Sequence, residues 1–294
     1  MSTFFMPKKI SSNLQGINSL IRIYNRLIEE KDSSIILDFR WTTWFSGELV
    51  ALFGAITYNL KYKYGKLITL DKCSDDIKKL FIGNGFSIVI SNMEDGETID
   101  SAVKFKYFEN ELNKGNSECF NKYLDEEFFP KLDLDKDETT YITYNLSEVF
   151  VNARTHGETN KIFCCGQKYP EIKKIRFMIV DLGIGIPKNV RNIIEFVDSE
   201  CIKWSVEKGN TTKDLNNDTG GLGLYTVQEF VDKHNGDLSI ISYKGKYNYR
   251  NNITEEMLYN FDGTIVYIDF DYSMLQDVEK MFKLIKKDDI NWDF

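Results

Sequence analysis

Glu148, Asn152 and His156 follow one another at intervals of four residues, a spacing that could support chemistry. On a helix, these three side chains form one polar stripe beside a buried apolar face. A carboxylate can orient and deprotonate a water or a hydroxyl, and an amide oxygen is a hard ligand that suits Mg²⁺. The stripe therefore predicts a carboxylate and a carboxamide that reach one point in a cleft, with an ordinary solvated helix face as the alternative.

A second group of chemical residues follows an apolar run from Ile175 to Val180, which predicts a strand. This run leads into Asp181, Gly183, Gly185 and Ile186. An aspartate at a strand end can accept a hydrogen bond from an exocyclic amino group, and glycines let the backbone approach a planar ring or a phosphate. A tight structural turn is the alternative interpretation.

A third group is rich in glycine and opens a predicted helix; its members are Gly220, Gly221, Leu222, Gly223 and Leu224. Free amides at a helix N-terminus form an anion site, and glycines allow a phosphate to come close. The run lacks the third glycine of a dinucleotide-binding fingerprint, and no Gly-Lys-Ser/Thr of a P-loop occurs in the chain.

Two further segments flank this glycine run. The preceding interval, Asn189 to Asp218, has a polar second half with Thr212 and Lys213, which is typical of a mobile lid or of a long surface loop. Downstream, Thr264 precedes an alternating strand at residues 265–270 and could present its hydroxyl to the same ligand.

The elements that must position these residues follow a two-part pattern. Strands and helices alternate over residues 10–103, which predicts a small α/β domain. The expected elements are a helix from Leu14 with Ser12 as its cap, a strand at Ser34–Phe39, a helix at Gly47–Tyr62, a strand at Lys66–Leu70, a helix at Ser74–Phe81 and a strand at Phe86–Ile90. A helical connector is expected at 104–140, a second α/β domain at 141–275, and a helical tail at 276–294.

Composition narrows the function classes. The 294 residues carry a net charge of −8, which argues against nucleic acid as a partner. Two histidines exclude a multi-histidine metal centre, and five cysteines without a CxxC pair favour reduced thiols. No apolar run approaches the roughly 20 residues of a membrane span. We therefore expect a cytoplasmic protein without a membrane partner.

The order and spacing of the four motifs resemble the boxes of the GHKL ATP-binding family, whose histidine-kinase-like ATPase domains have the Bergerat fold. This resemblance implies an α/β sandwich, in which helices cover one face of a mixed sheet, with ATP and Mg²⁺ as cofactors. It implies that Glu148 is the general base, that Asn152 is the Mg²⁺ ligand and that Asp181 holds the adenine amino group.

The other site residues carried over by this resemblance fall into two sets. Beside the base it places Gly183, Gly185 and Ile186, with Thr264 linked to Asp181 through water and His156 as a secondary nucleotide contact. Around the phosphates it places Thr212, Lys213, Gly220, Gly221, Leu222, Gly223 and Leu224.

Within that family, the motif around Glu148 is most similar to the anti-sigma-factor serine kinases. From the sequence we expect neither autophosphorylation on histidine, for lack of a dimerisation helix pair with a phospho-accepting histidine, nor the strand passage of a gyrase-like transducer. The N-terminal part resembles a STAS domain, in which Ser46 would be either a phosphate acceptor or an ordinary helix N-cap.

Two functions follow as expectations. The first is ATP hydrolysis, or transfer of the γ-phosphate to a Ser or Thr of a regulatory protein partner. The second is a non-catalytic switch that senses ATP against ADP and controls protein association; the resemblance also admits a homodimer.

Overall fold

The computed structural model describes residues 1–86, 96, 97, 99–109, 116–159, 161–212 and 223–277. Its strands are β1 (Ser2–Phe5), β2 (Lys9–Ile10), β3 (Ser34–Asp38), β4 (Trp44–Phe45), β5 (Leu67–Asp71), β6 (Ala102–Glu109), β7 (Lys161–Tyr169), β8 (Lys174–Asp181), β9 (Asp237–Asn248) and β10 (Ile253–Asp271). Its α-helices are α1 (Leu14–Glu29), α2 (Val50–Tyr62), α3 (Asp75–Gly83), α4 (Asn116–Tyr123), α5 (Lys136–His156), α6 (Ile186–Val190), α7 (Asp198–Val206) and α8 (Gly223–Lys233).

The N-terminal part is a parallel α/β unit, as the alternating pattern predicts. Its sheet has the order β1-β3-β5, with α1 and α2 in the connections. Strand β1 belongs to this sheet although it precedes residue 10, where the domain was expected to start. The cap of α1 is Asn13 rather than Ser12, because the Asn13 side chain accepts a hydrogen bond from the Gly16 amide at 3.0 Å.

The C-terminal part is built on a five-stranded antiparallel sheet with the order β6-β7-β8-β10-β9. Strand β6 corrects the expectation of a helical connector from residue 104. It pairs with β7, and its buried side chains lie on both faces of the sheet: Val103 packs in the core beneath α5 and α8, and Phe105 packs in the core around α2, with a bulge between Val103 and Lys106. Residues 116–131 of the connector are helical: α4 is followed by a short π-helix at Leu124–Phe128 and a 3₁₀ turn at Phe129–Lys131.

Helices lie on both faces of this five-stranded sheet. Helix α2 lies between the two sheets, where Phe53 contacts Phe39 after β3 and a Cβ at Gly54 would lie 2.3 Å from Phe105 of β6. This position explains why α2 is apolar on all sides. Helices α5 and α8 cover the opposite face through Val149, Phe150 and Phe230 among others. The α/β sandwich confirms the expected fold class, but two details of the expectation are wrong. The five-stranded sheet is antiparallel rather than mixed, and its second face is not open, because α2 of the N-terminal unit packs on it.

Helix α5 is the element that carries the first motif. It has 21 residues and begins at a capping box, in which Asp135 accepts from the Glu138 amide while Glu138 accepts from the Asp135 amide. The predicted apolar face is buried, and its members are Leu146, Val149, Phe150 and Ala153.

Two predicted elements lie largely or wholly outside the described residues. Of the strand expected at Phe86–Ile90 only Phe86 is described, and of the tail only residues 276 and 277, which end a 3₁₀ turn at Tyr272–Asp277. Within the described ranges, no helix combines the length and the apolar character needed to cross a bilayer.

Candidate functional site

The polar stripe of α5 meets the first residue of α8. A Cβ placed on Gly223 would lie 2.4 Å from Glu148 Oε2 and 3.5 Å from Asn152 Nδ2, so only a glycine allows this approach without displacing the carboxylate. Both polar side chains are half-buried. The structure therefore brings together the predicted base, the predicted Mg²⁺ ligand and Gly223, the described glycine of the third motif.

Tyr144, one turn before Glu148, is a site residue that the sequence motifs missed. Burial and the charge of Glu148 raise the pKa of its phenol, and the phenol is hydrogen-bonded to Thr226 of α8. Tyr144 therefore links the two helices directly beside the predicted base. Its i−4 spacing from Glu148 on α5 was a signal that could have identified it.

Asp181 ends β8 and is 2% exposed. One carboxylate oxygen accepts from the Gly183 amide at 2.8 Å. Thr264 lies directly opposite in β10 and hydrogen-bonds to the same carboxylate. Burial dominates over these hydrogen bonds and raises the pKa of Asp181 to about 7.

The turn after β8 lies against the C-terminal end of α5. The Ile184 amide donates to the Gly157 carbonyl at 2.7 Å, and a Cβ on Gly183 would lie 1.9 Å from that oxygen. Gly185 has φ +72°, in the left-handed region that favours glycine. Both glycines of this motif are therefore required by the backbone, and a Cβ on Gly157 itself would lie 3.2 Å from Asp181 Oδ1.

His156 connects this end of α5 to the segment expected to close over the ligand. Its Nδ1 lies 3.3 Å from Thr212 Oγ1, and its backbone carbonyl accepts from Asn189 Nδ2 at 2.7 Å. Asn189 was not predicted and has no motif of its own. Four predicted phosphate residues lie outside the described ranges: Lys213, Gly220, Gly221 and Leu222.

Ile186 and Leu224 are half-buried and contact the core beneath α5 and α8. Their burial gives them a packing role in addition to any contact with a ligand.

Ser242 is a second residue that the motifs missed. It is fully buried on β9, accepts from the Ile186 amide at 3.0 Å and donates to the Gly263 carbonyl at 2.7 Å. No local pattern marks it, because both partners come from distant parts of the chain.

Two residues considered in the sequence have other roles. His234 is buried, with its Nδ1 2.7 Å from the Phe230 carbonyl, and burial lowers its pKa. Ser46 is 2% exposed and makes no side-chain cap bond. Its Oγ accepts instead from the Ser12 amide and from Trp44 Nε1.

The geometry gives the site two chemically distinct ends. Asp181 and Gly183 lie beside Gly157, whereas Glu148 and Asn152 lie earlier on α5, next to Gly223 of α8. Gly157 follows Glu148 by nine positions, a helical rise of about 13.5 Å. A ligand with a hydrogen-bond donor at one end and an anionic group at the other would span this distance along α5.

Residues 138–273 match the family model described as histidine kinase-, DNA gyrase B-, and HSP90-like ATPase. This segment contains every residue of the two ends described above. The chain has no match among the curated proteins.

Proposed function

The chain carries a domain of the histidine kinase-, DNA gyrase B- and HSP90-like ATPase family at residues 138–273, and on that premise we propose that it is a Mg²⁺-dependent regulatory phosphotransferase or ATPase. ATP would lie along α5, with its base at Asp181 and its phosphates at Glu148 and Asn152. The contact of Gly223 with both of these polar residues is the observation that carries the proposal.

Asp181, Gly183 and Gly157 form the base end of the site, named for the nucleobase. There, Asp181 would accept the hydrogen bond of the adenine amino group. Its burial removes competing water, and its hydrogen bonds to the Gly183 amide and to Thr264 fix its orientation. The glycines at 183 and 185 let the turn pack closely against Gly157 and Ser242, which keeps Asp181 in place. An acceptor at this position favours adenine over a base with a carbonyl there.

At the phosphate end, the residues present fit a Mg²⁺·triphosphate group. Asn152 would supply an amide oxygen to the ion, and Glu148 lies close enough to the same glycine to face the γ-phosphate. When bound, Mg²⁺ neutralises charge that develops on the phosphate oxygens. Thr212 would approach the nucleotide through its contact with His156.

Glu148 favours catalysis over pure sensing. A half-buried carboxylate beside a bound triphosphate repels it, and a site that only senses the nucleotide does not need a general base. As a general base, it would accept the proton of the attacking water or of a protein hydroxyl. The non-catalytic ATP/ADP switch stays the second candidate.

We also propose that the ATPase domain is similar to those of anti-sigma-factor serine kinases and that the N-terminal unit is STAS-like. A three-stranded parallel sheet with helical connections supports a STAS-like unit at residues 10–103. A Ser or Thr of a cytoplasmic regulatory protein is the proposed phosphate acceptor.

The fate of γ-labelled ATP separates these functions. The full chain is incubated with labelled ATP and Mg²⁺, with and without cell lysate, and the label is followed. Label in free phosphate indicates hydrolysis, and label on another protein indicates transfer. Label that stays in ATP, together with retained binding, would overturn the catalytic proposal in favour of the switch.

A further inference from the structure

Ser242 lies where the pairing between β9 and β10 is irregular. Tyr243 pairs with Phe261 and Ser242 pairs with Thr264, so Asp262 and Gly263 form a bulge on β10. Two residues at this irregularity have positive φ angles: +52° at Tyr243 and +119° at Gly263. Bulges of this kind re-aim side chains next to functional sites.

The Ser242 hydroxyl forms hydrogen bonds with both the turn after β8 and the bulge of β10. Its proton goes to the Gly263 carbonyl at 2.7 Å, and one lone pair accepts from the Ile186 amide at 3.0 Å. Thr264 Oγ1 lies 3.4 Å away, near the remaining lone pair. This one hydroxyl therefore joins the turn after β8 to the bulge of β10.

Asp181 lies between these two segments. It accepts from Gly183 in the turn after β8, and it hydrogen-bonds to Thr264 immediately after the bulge. Any relative movement of the turn and the bulge changes the direction of the carboxylate. The hydroxyl also lies directly against the turn, because a Cβ on Gly185 would be 2.7 Å from Ser242 Oγ.

We infer that Ser242 is a positioning residue for purine recognition. It holds the two segments that orient Asp181 and Thr264 toward the base, without contacting the nucleotide itself. This inference rests on the proposed function and deepens it, because it assigns a determinant of base affinity that is separate from the phosphate end.

Two variants test the inference in the full chain. Ser242→Ala removes the hydroxyl, and Ser242→Cys keeps a side chain of similar size with a much weaker donor. Ser239→Ala is the matched control, since that serine lies on the same strand and bonds only to Asn248 among the described contacts. Each variant is measured for adenosine affinity, for KM and kcat with ATP, and for its midpoint of thermal unfolding.

Both Ser242 variants are expected to raise the adenosine Kd and the KM for ATP by at least about tenfold, or about 1.4 kcal/mol. The kcat should stay within about twofold, because Glu148 and Asn152 lie at the other end of α5. The control should match the wild type in all three measurements. If turnover is too slow to measure, the adenosine Kd decides alone.

Two results would overturn the inference while leaving the proposed function intact. One is wild-type adenosine affinity in both Ser242 variants. The other is a rise in KM and a fall in kcat by similar factors, together with a lowered unfolding midpoint, which indicates a general structural role. A wild-type chain that binds neither adenosine nor ATP would instead contradict the proposed function.

Discussion

Asp181 combines a buried position with the chemical task of binding a base. Burial raises its pKa to about 7, so the protonated form predominates in the ligand-free protein below that pH. The adenine amino group is a donor and is best matched by the carboxylate form. Proton release from a single side chain is therefore coupled to nucleotide binding.

This coupling predicts a pH-dependent affinity for adenosine, which carries no titrating phosphate. The Kd should fall about tenfold per pH unit as the pH rises from about 5 to 7, and then level off. The stability of the ligand-free protein should change in the opposite sense. The folded state holds this proton up to about pH 7, whereas the ordinary pKa of an aspartate is 3.8, so this group reduces stability as the pH rises between those values.

Calorimetric titration of adenosine between pH 5.5 and 8.5 measures the effect. The Asp181→Asn variant should bind more weakly and show a flat profile over the same range. A flat profile in the wild type would rule out Asp181 as the titrating acceptor.

At the scale of elements, the close approach of α5 and α8 depends on the absence of a side chain at Gly223. Gly223→Ala would place a Cβ 2.4 Å from Glu148 Oε2. Because a carboxylate can rotate away, we expect the protein to fold. The general base would then be displaced, and turnover should fall at least about tenfold while adenosine affinity is retained.

Steady-state turnover and adenosine titration check this expectation. Tyr225→Phe is the control, because it removes an exposed hydroxyl from the same helix. Among the described contacts, that hydroxyl bonds only to Glu229. Unchanged turnover in Gly223→Ala would show that the contact between the two helices does not position Glu148.

An element can be predicted from the sequence when its signal is local. The helix carrying Glu148 has a local periodicity, and the residues of that pattern are buried as predicted. Strand β6 has no such unambiguous signal, because aromatic and charged residues mixed over 104–109 fit the packed face of a helical connector as well as a strand. Ser242 depends on the register between β9 and β10, which no short segment of the sequence encodes.

At the scale of the whole molecule, the N-terminal unit contacts the part of β10 that leads to the base end. Asn25 of α1 donates to the Asn260 carbonyl at 2.7 Å, and Asn260 donates to Asp262 Oδ1 at 2.6 Å. Asn260 lies two residues before the bulge that leads to Thr264, and Asp262 is the first residue of that bulge. The expectation of two separate domains gave no reason to expect this contact, which joins residues 235 positions apart.

Asn25→Ala should therefore weaken adenosine binding although it lies outside the residues matched by the ATPase family. This bond does not touch the ligand, so its loss can raise the Kd by at most about fivefold, the equivalent of one hydrogen bond of about 1 kcal/mol. Ser19→Ala serves as the control, because that hydroxyl bonds within α1 to the Gln15 carbonyl. Equal adenosine affinities in the wild type and Asn25→Ala would argue that the N-terminal unit does not influence the base end.

The central claim is that ATP binds along α5 and that Glu148 acts on its γ-phosphate. Its most direct test is to compare ATP affinity and release or transfer of labelled γ-phosphate in the wild type and in Glu148→Gln, with Glu229→Gln of α8 as the control. We predict that Glu148→Gln binds ATP within about threefold of the wild type and loses at least about 100-fold in turnover. Unchanged turnover in Glu148→Gln, or a wild type that does not bind ATP, would contradict the claim.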